Sequence, residues 1–240
     1  MLVATTTTVA TTTAVADDKR YTLADLEALV VGSSYHEAVA HLSDIAPAQR
    51  TPKWLEVGAA ATAGLLGTLP DDAKLLAIDA IDRSYPQLVK TAKYARARAE
   101  HGVIGLASCY QSRESECAQL GLRLADGGDR ALVLEVARIT TAHGNAVEAV
   151  PLFKRALATE TKKTCRDEQL RRATIAALSR TAPATDARAI VQTCWDDVKD
   201  AVVQAFDQAG KGSEVYKNTC DILEAKRALS SLQLKRCRTK

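Results

Sequence analysis

His36, Glu37 and His41 come closest to a reactive constellation in this chain. They sit in YHEAVAHL, residues 35–42, with the spacing H-E-x-x-x-H. The shorter spacing H-E-x-x-H sets two imidazoles one helical turn apart, where they share a zinc ion and the glutamate activates water. Positions i and i+5 are instead separated by about 500° of rotation, roughly 140° around the helix axis. An intact helix therefore cannot offer both rings to one metal. Glu37 has a simpler use, because Ser34-x-x-Glu37 forms a capping box that starts a helix. The four histidines, 36, 41, 101 and 143, form no other ligand pair. The expectation is no metal and no cofactor.

Other catalytic patterns are missing too. The chain has no glycine-rich phosphate loop and no G-x-S-x-G. Trp195-Asp196-Asp197, directly after Cys194, is the most reactive-looking remaining cluster. Two carboxylates in a first helical turn are accounted for by the helix dipole alone. The chain is read as a non-enzyme.

Basic residues gather in TKKTCRDEQLRR, with Lys162, Lys163, Arg166, Arg171 and Arg172, and again in KYARARAEH and the tail KRCRTK. Arg171 and Arg172 lie about 100° apart on a helix, so they form no single stripe. A solvated face is the plain reading, and a patch for an acidic partner is the functional one. No aromatic residues interleave with these charges, which argues against single-stranded nucleic acid. A net charge of +3 over 240 residues adds no case for nucleic acid.

Six cysteines, at 109, 117, 165, 194, 220 and 237, include no C-x-x-C. An even count without metal spacing suggests disulfides and an oxidising compartment. The N-terminus points the same way. Seven of the first thirteen residues are threonine, no charge precedes Asp17, and Ala14-Val15-Ala16 has the form of a signal-peptidase site. The basic segment that normally opens such a leader is missing. Residues 1–20 are read as a truncated signal peptide or a flexible Thr/Ala-rich segment. No apolar run is long enough to span a membrane.

The elements that must position these residues are helices. Hydrophobic residues make up 47% of the chain and aromatics only 4%, so close packing must run through alanine and glycine. Alanine-rich segments with few β-branched residues favour helix. Start signals stand at Thr22-x-x-Asp25, Ser34-x-x-Glu37, Thr51-Pro52, Leu69-Pro70, Ser84-Tyr85-Pro86 and Thr185-Asp186. Breaks fall at Gly32, Pro47, Gly127-Gly128, Gly144-Asn145, Pro183 and Gly210-Lys-Gly212. Short links between similar helices imply antiparallel hairpins in series, with no sheet.

Hairpins constrain the cysteines. Cys109 ends one helix and Cys117 opens the next across YQSRESE. Cys165 is expected to begin a helix whose partner ends at Cys194. Cys220 and Cys237 can meet only where the chain turns back near Ser230, since 17 residues of continuous helix would separate them by about 25 Å. Disulfide geometry needs Cα atoms within about 7 Å. Local hairpins therefore favour the sequential pairing 109–117, 165–194 and 220–237.

Two stretches resemble known repeats. SYHEAVAHLSDI carries Tyr35, Ala38 and Leu42 at second-helix positions of a tetratricopeptide repeat, and KWLEVGAAATAGLL carries Trp54, Val57 and Gly58 at first-helix positions. GNAVEAVPLFKRAL and TDARAIVQTC resemble second helices of HEAT repeats, with first helices near LRRATIAAL and VKDAVVQAF. The segment 144–157 also satisfies the tetratricopeptide pattern. These resemblances imply an all-α α-solenoid of antiparallel hairpins, a right-handed superhelix. One helical-repeat domain would occupy residues 21–240, tetratricopeptide-like over 21–92 and HEAT-like over 93–240.

Solenoids of this kind bind peptides and protein domains on curved surfaces. The expected function is an exported, periplasmic or secreted scaffold for a protein or peptide partner. Two alternatives remain at this stage. One is a structural subunit of an envelope assembly. The other is an intracellular DNA-repair glycosylase, because the alkylpurine DNA glycosylases are built on HEAT-like helices.

Overall fold

A computed structural model describes residues 20–112, 116–159, 161–180 and 185–238. The Ala14-Val15-Ala16 site and the break at Pro183 lie outside the described residues. Those residues contain fourteen α-helices and no strand. In chain order they are α1 (Leu23–Val31), α2 (Tyr35–Ala40), α3 (Pro52–Thr68), α4 (Asp71–Ser84), α5 (Ala92–Ser112), α6 (Cys117–Ala125) and α7 (Arg130–His143). There follow α8 (Val150–Leu157), α9 (Thr161–Cys165), α10 (Glu168–Leu178), α11 (Thr185–Thr193), α12 (Trp195–Gln208), α13 (Glu214–Ala225) and α14 (Ser231–Arg238).

Local chemistry sets several helix starts. Thr22 accepts the Asp25 amide and Asp25 returns a bond to the Thr22 amide, a complete capping box. Thr51 caps α3 ahead of Pro52. Asp129, Asp167 and Ser213 cap α7, α10 and α13 in the same way.

One expected cap and one expected start are corrected; α2 does begin directly after Ser34. Ser34 makes no side-chain cap bond. Glu37 instead accepts the Tyr21 hydroxyl at 2.6 Å, because Tyr21 lies beside α2 and outcompetes a bond back along the helix. At Ser84-Tyr85-Pro86 a helix ends rather than begins. Pro86 lies in a turn that leads to a single 3-10 turn at Leu88–Lys90.

Every substantial packing contact joins elements no more than three helices apart in the chain. One continuous apolar core runs from Leu26 to Leu223. Leu42, Trp54 and Val57 of the N-terminal repeat pattern belong to it. Trp54, Val57, Ala38 and Leu42 are buried. Tyr35 is half-buried, with its ring against Gly64. Helices also meet backbone to side chain: a Cβ on Gly105 of α5 would lie 2.8 Å from the Leu75 nitrogen of α4.

The cysteines join as 109–117, 165–194 and 220–237, with Cα separations of 5.8, 5.2 and 5.8 Å. One expected placement differs. Cys165 closes the short α9 rather than opening a long helix, and the disulfide ties that turn to the α11–α12 junction at Cys194. The reversal required by 220–237 occurs between α13 and α14, where Arg227 adopts a positive φ of 53°.

Candidate functional site

A concave site lined by arginine and aspartate lies between α4 and α6, on the flank of α5. It begins with sequence. In α4, DDAKLLAIDAIDRS, the apolar stripe Leu75, Ile78 and Ile81 carries Asp79 and Asp82 along with it. In α5, KYARARAEH alternates alanine with arginine. Arg96 is exposed, while Arg98 follows Tyr94 by one turn onto the core face. In α6 the apolar face Leu120, Gly121 and Leu124 has Arg123 at its edge.

Packing turns these edges into one network. Arg98 is only 3% exposed. Its Nε donates to Asp82 Oδ2 at 2.6 Å, and its Nη1 donates to the Leu124 carbonyl at 2.7 Å. Its Nη2 is shared by the carbonyls of Arg123 and Asp126. One guanidinium thus closes the C-terminal end of α6, where unpaired carbonyls concentrate negative potential. The Tyr94 hydroxyl donates to Asp82 Oδ1 at 2.8 Å. Burial, with Asp82 close by, pushes the Tyr94 hydroxyl far up, so it stays protonated as a fixed donor.

Asp79 is the second anchor, and its side chain is 7% exposed. Arg123 Nε donates to its Oδ1 at 2.6 Å, and Arg83 Nη2 bonds its Oδ2. The cleft so enclosed has a volume of about 250 Å³ and an apolar floor of Leu75, Ile78, Leu120 and Leu124. A second hollow of about 580 Å³ adjoins it through Val89 and Arg98 and is lined by Arg96, Glu100 and the Gly127-Gly128 turn.

Asp79 and Asp82 stand at i and i+3, but guanidinium groups occupy both, so they make no metal-ligand pair. Among the described residues no three His, Cys, Asp or Glu side chains gather at metal-binding geometry. His36 is exposed on α2. His41 follows the end of that helix, stacks on Tyr21 at 4.0 Å and bonds Asp44 through Nδ1.

The sequence-derived candidates lie elsewhere. Lys162, Lys163, Arg166, Arg171 and Arg172 are exposed on α9, the link after it and α10. Arg166 reaches Asp197 at 3.8 Å. Trp195 is half-buried beneath Lys226, 5.4 Å from its ring centroid. Asp196 and Asp197 occupy the first turn of α12. None of these residues enters the α4–α6 cleft.

Sequence reasoning missed that cleft. Asp79 and Arg123 are 44 residues apart. The available signal was a charged residue riding on an apolar helix face, which is rare unless it is paired.

Comparisons with protein-family models, with curated proteins and with solved structures find no match for this chain.

Proposed function

We propose that this chain is an exported helical scaffold, arranged as an α-solenoid, that docks a partner polypeptide in the α4–α6 cleft. The observation that carries the reading is the cleft itself, an apolar floor rimmed by two arginines on rigid helices. Arginine is among the residues enriched at interaction hot spots.

Two further observations support the rest. Packing confined to near neighbours in the chain is the pattern of a one-dimensional stack. Three disulfides are compatible with the periplasm or the cell exterior and weigh against the intracellular DNA-repair reading. No described helix is long and apolar enough to cross a membrane.

Site-specific photo-cross-linking in the native host tests the docking face. A cross-linker at Asp126, exposed at the rim of the cleft, is expected to give a discrete polypeptide adduct. One at Arg172 on the basic helix α10 is expected to give none. Adducts from Arg172 alone would move the function to the basic patch.

A further inference from the structure

We propose that the α4–α6 cleft is specific for a carboxylate, an aspartate or glutamate side chain of the partner received between Arg83 and Arg123. The inference rests on the docking reading and adds the chemistry of the docked residue.

Charge complementarity carries it. The cleft holds three arginines, 83, 98 and 123, and three aspartates, 79, 82 and 126. Asp82 is consumed by Arg98 and Tyr94. Asp126 pairs outward with Arg155, at 3.2 Å. Asp79 alone is left to balance both Arg83 and Arg123, so the cleft carries one uncompensated positive charge.

The donors match that excess. Arg83 binds through Nε, to the Asp79 carbonyl, and through Nη2, leaving Nη1 without an acceptor among the described residues. Arg123 binds only through Nε, and both of its Nη nitrogens are unused there. A guanidinium fork of this kind suits the two oxygens of a carboxylate. Both arginines are pinned by a buried aspartate yet remain 72% and 43% exposed. Their rotamers are fixed before a ligand arrives, which lowers the entropy cost of binding. A monoanion completes the charge balance. A phosphate dianion would overshoot it.

The full chain, labelled with 15N-arginine, provides the test through its Nε–Hε resonances. Acetate is the probe, acetamide its neutral isostere and inorganic phosphate the competing anion. Acetate should shift Arg83 and Arg123 saturably and leave Arg172 unmoved, and acetamide should do nothing. Arg123→Gln and, on the exposed side, Arg83→Gln should each weaken acetate by about tenfold, one charge-assisted contact. Shifts that rise linearly and equally at Arg172, or phosphate binding more than about tenfold tighter than acetate, would overturn the assignment.

Two labelled heptapeptides differing only in a central Glu or Gln complete it. Preference for Glu by about tenfold or more supports the proposal. Equal binding of both, lost with Asp126→Trp at the cleft rim, would remove the carboxylate and leave the docking reading standing. Saturable acetate with neither peptide bound would remove the polypeptide source and the docking reading together.

Discussion

The two halves of the molecule are fastened by different chemistry. From α3 to α6, helices meet through glycine and through a buried network of arginine and aspartate, with one disulfide at the α5–α6 turn. From α9 to α14, two disulfides tie helix ends, and a Cβ built on Gly210 or Gly212 would meet nothing within 4 Å. Glycine allows a long helix to lie close along its neighbour, so internal polar contacts can form. The C-terminal helices are shorter, bury fewer large side chains and gain order from covalent ties. The candidate site sits in the half whose fasteners are charges, because the same arginines that hold helices together present unused donors.

Arg98→Ala is the largest expected break in that comparison. It strands Asp82 in a buried setting and leaves the end carbonyls of α6 without their donor. Removing one partner of a buried pair costs about 3–5 kcal/mol. Arg96→Ala, two residues away and exposed, should stay within about 0.5 kcal/mol. Urea midpoints of the two variants measure the contrast. Equal midpoints would mean that Arg98 holds nothing.

In the C-terminal half, Cys165→Ala with Cys194→Ala should cost roughly 3–4 kcal/mol by loop closure in the denatured chain. Hydrogen exchange should rise first from α9 to α12 and leave α3–α5 protected. Equal loss of protection in both halves would show one cooperative unit and erase the distinction.

The glycine contrast is smaller. Alanine at 105 gains about 1 kcal/mol of helix propensity but places a Cβ 2.8 Å from the Leu75 backbone nitrogen. Backbone cannot swing aside as a side chain does, so a net loss of about 1–2 kcal/mol is expected. Gly210→Ala, in open surroundings, should change stability by less than about 0.5 kcal/mol. A neutral Gly105→Ala would show that α4 and α5 can separate at no cost.

The same residues show what a sequence can disclose. Thr22 and Thr51 are readable because a cap needs only three neighbouring positions. The cysteine pairs follow from hairpins, since each partner lies at most 29 residues away. Ser34 misleads: its spacing to Glu37 is correct, but Tyr21 takes the glutamate from outside the helix. Arg98 is harder still. Its position on the stripe with Tyr94 marks it as buried, yet Asp82, Leu124 and Asp126 become its partners only through the packing of three helices. The α4–α6 cleft has the same origin, assembled by tertiary contacts that no local pattern encodes.

The smallest expected effect tests whether charge also secures the first helix. Asp44 accepts the Tyr21 backbone N–H at 3.0 Å and bonds His41 Nδ1 at the same distance. The Tyr21 N–H, and after it His41, hold the Asp44 carboxyl below its ordinary value against the opposing effect of desolvation. A carboxyl lowered by folding adds stability above its unfolded pKa, near about 4, and that stability is lost as pH falls through the folded value. The tie is complete at neutral pH and disappears in acid. The Tyr21 hydroxyl bond to Glu37 is a separate hold on the same residue, so α1 should loosen without leaving. Asp44→Asn, which removes the charge and keeps an acceptor, should raise hydrogen exchange over residues 21–31 at pH 7. The melting temperature of the whole should move by less than about 2 °C. Wild-type protein taken below about pH 4 should show the same local rise before any in α10–α13. If α13 and α14 open first in acid, the N-terminal anchor is not electrostatic, and the division between charge-held and disulfide-held halves fails at its edge.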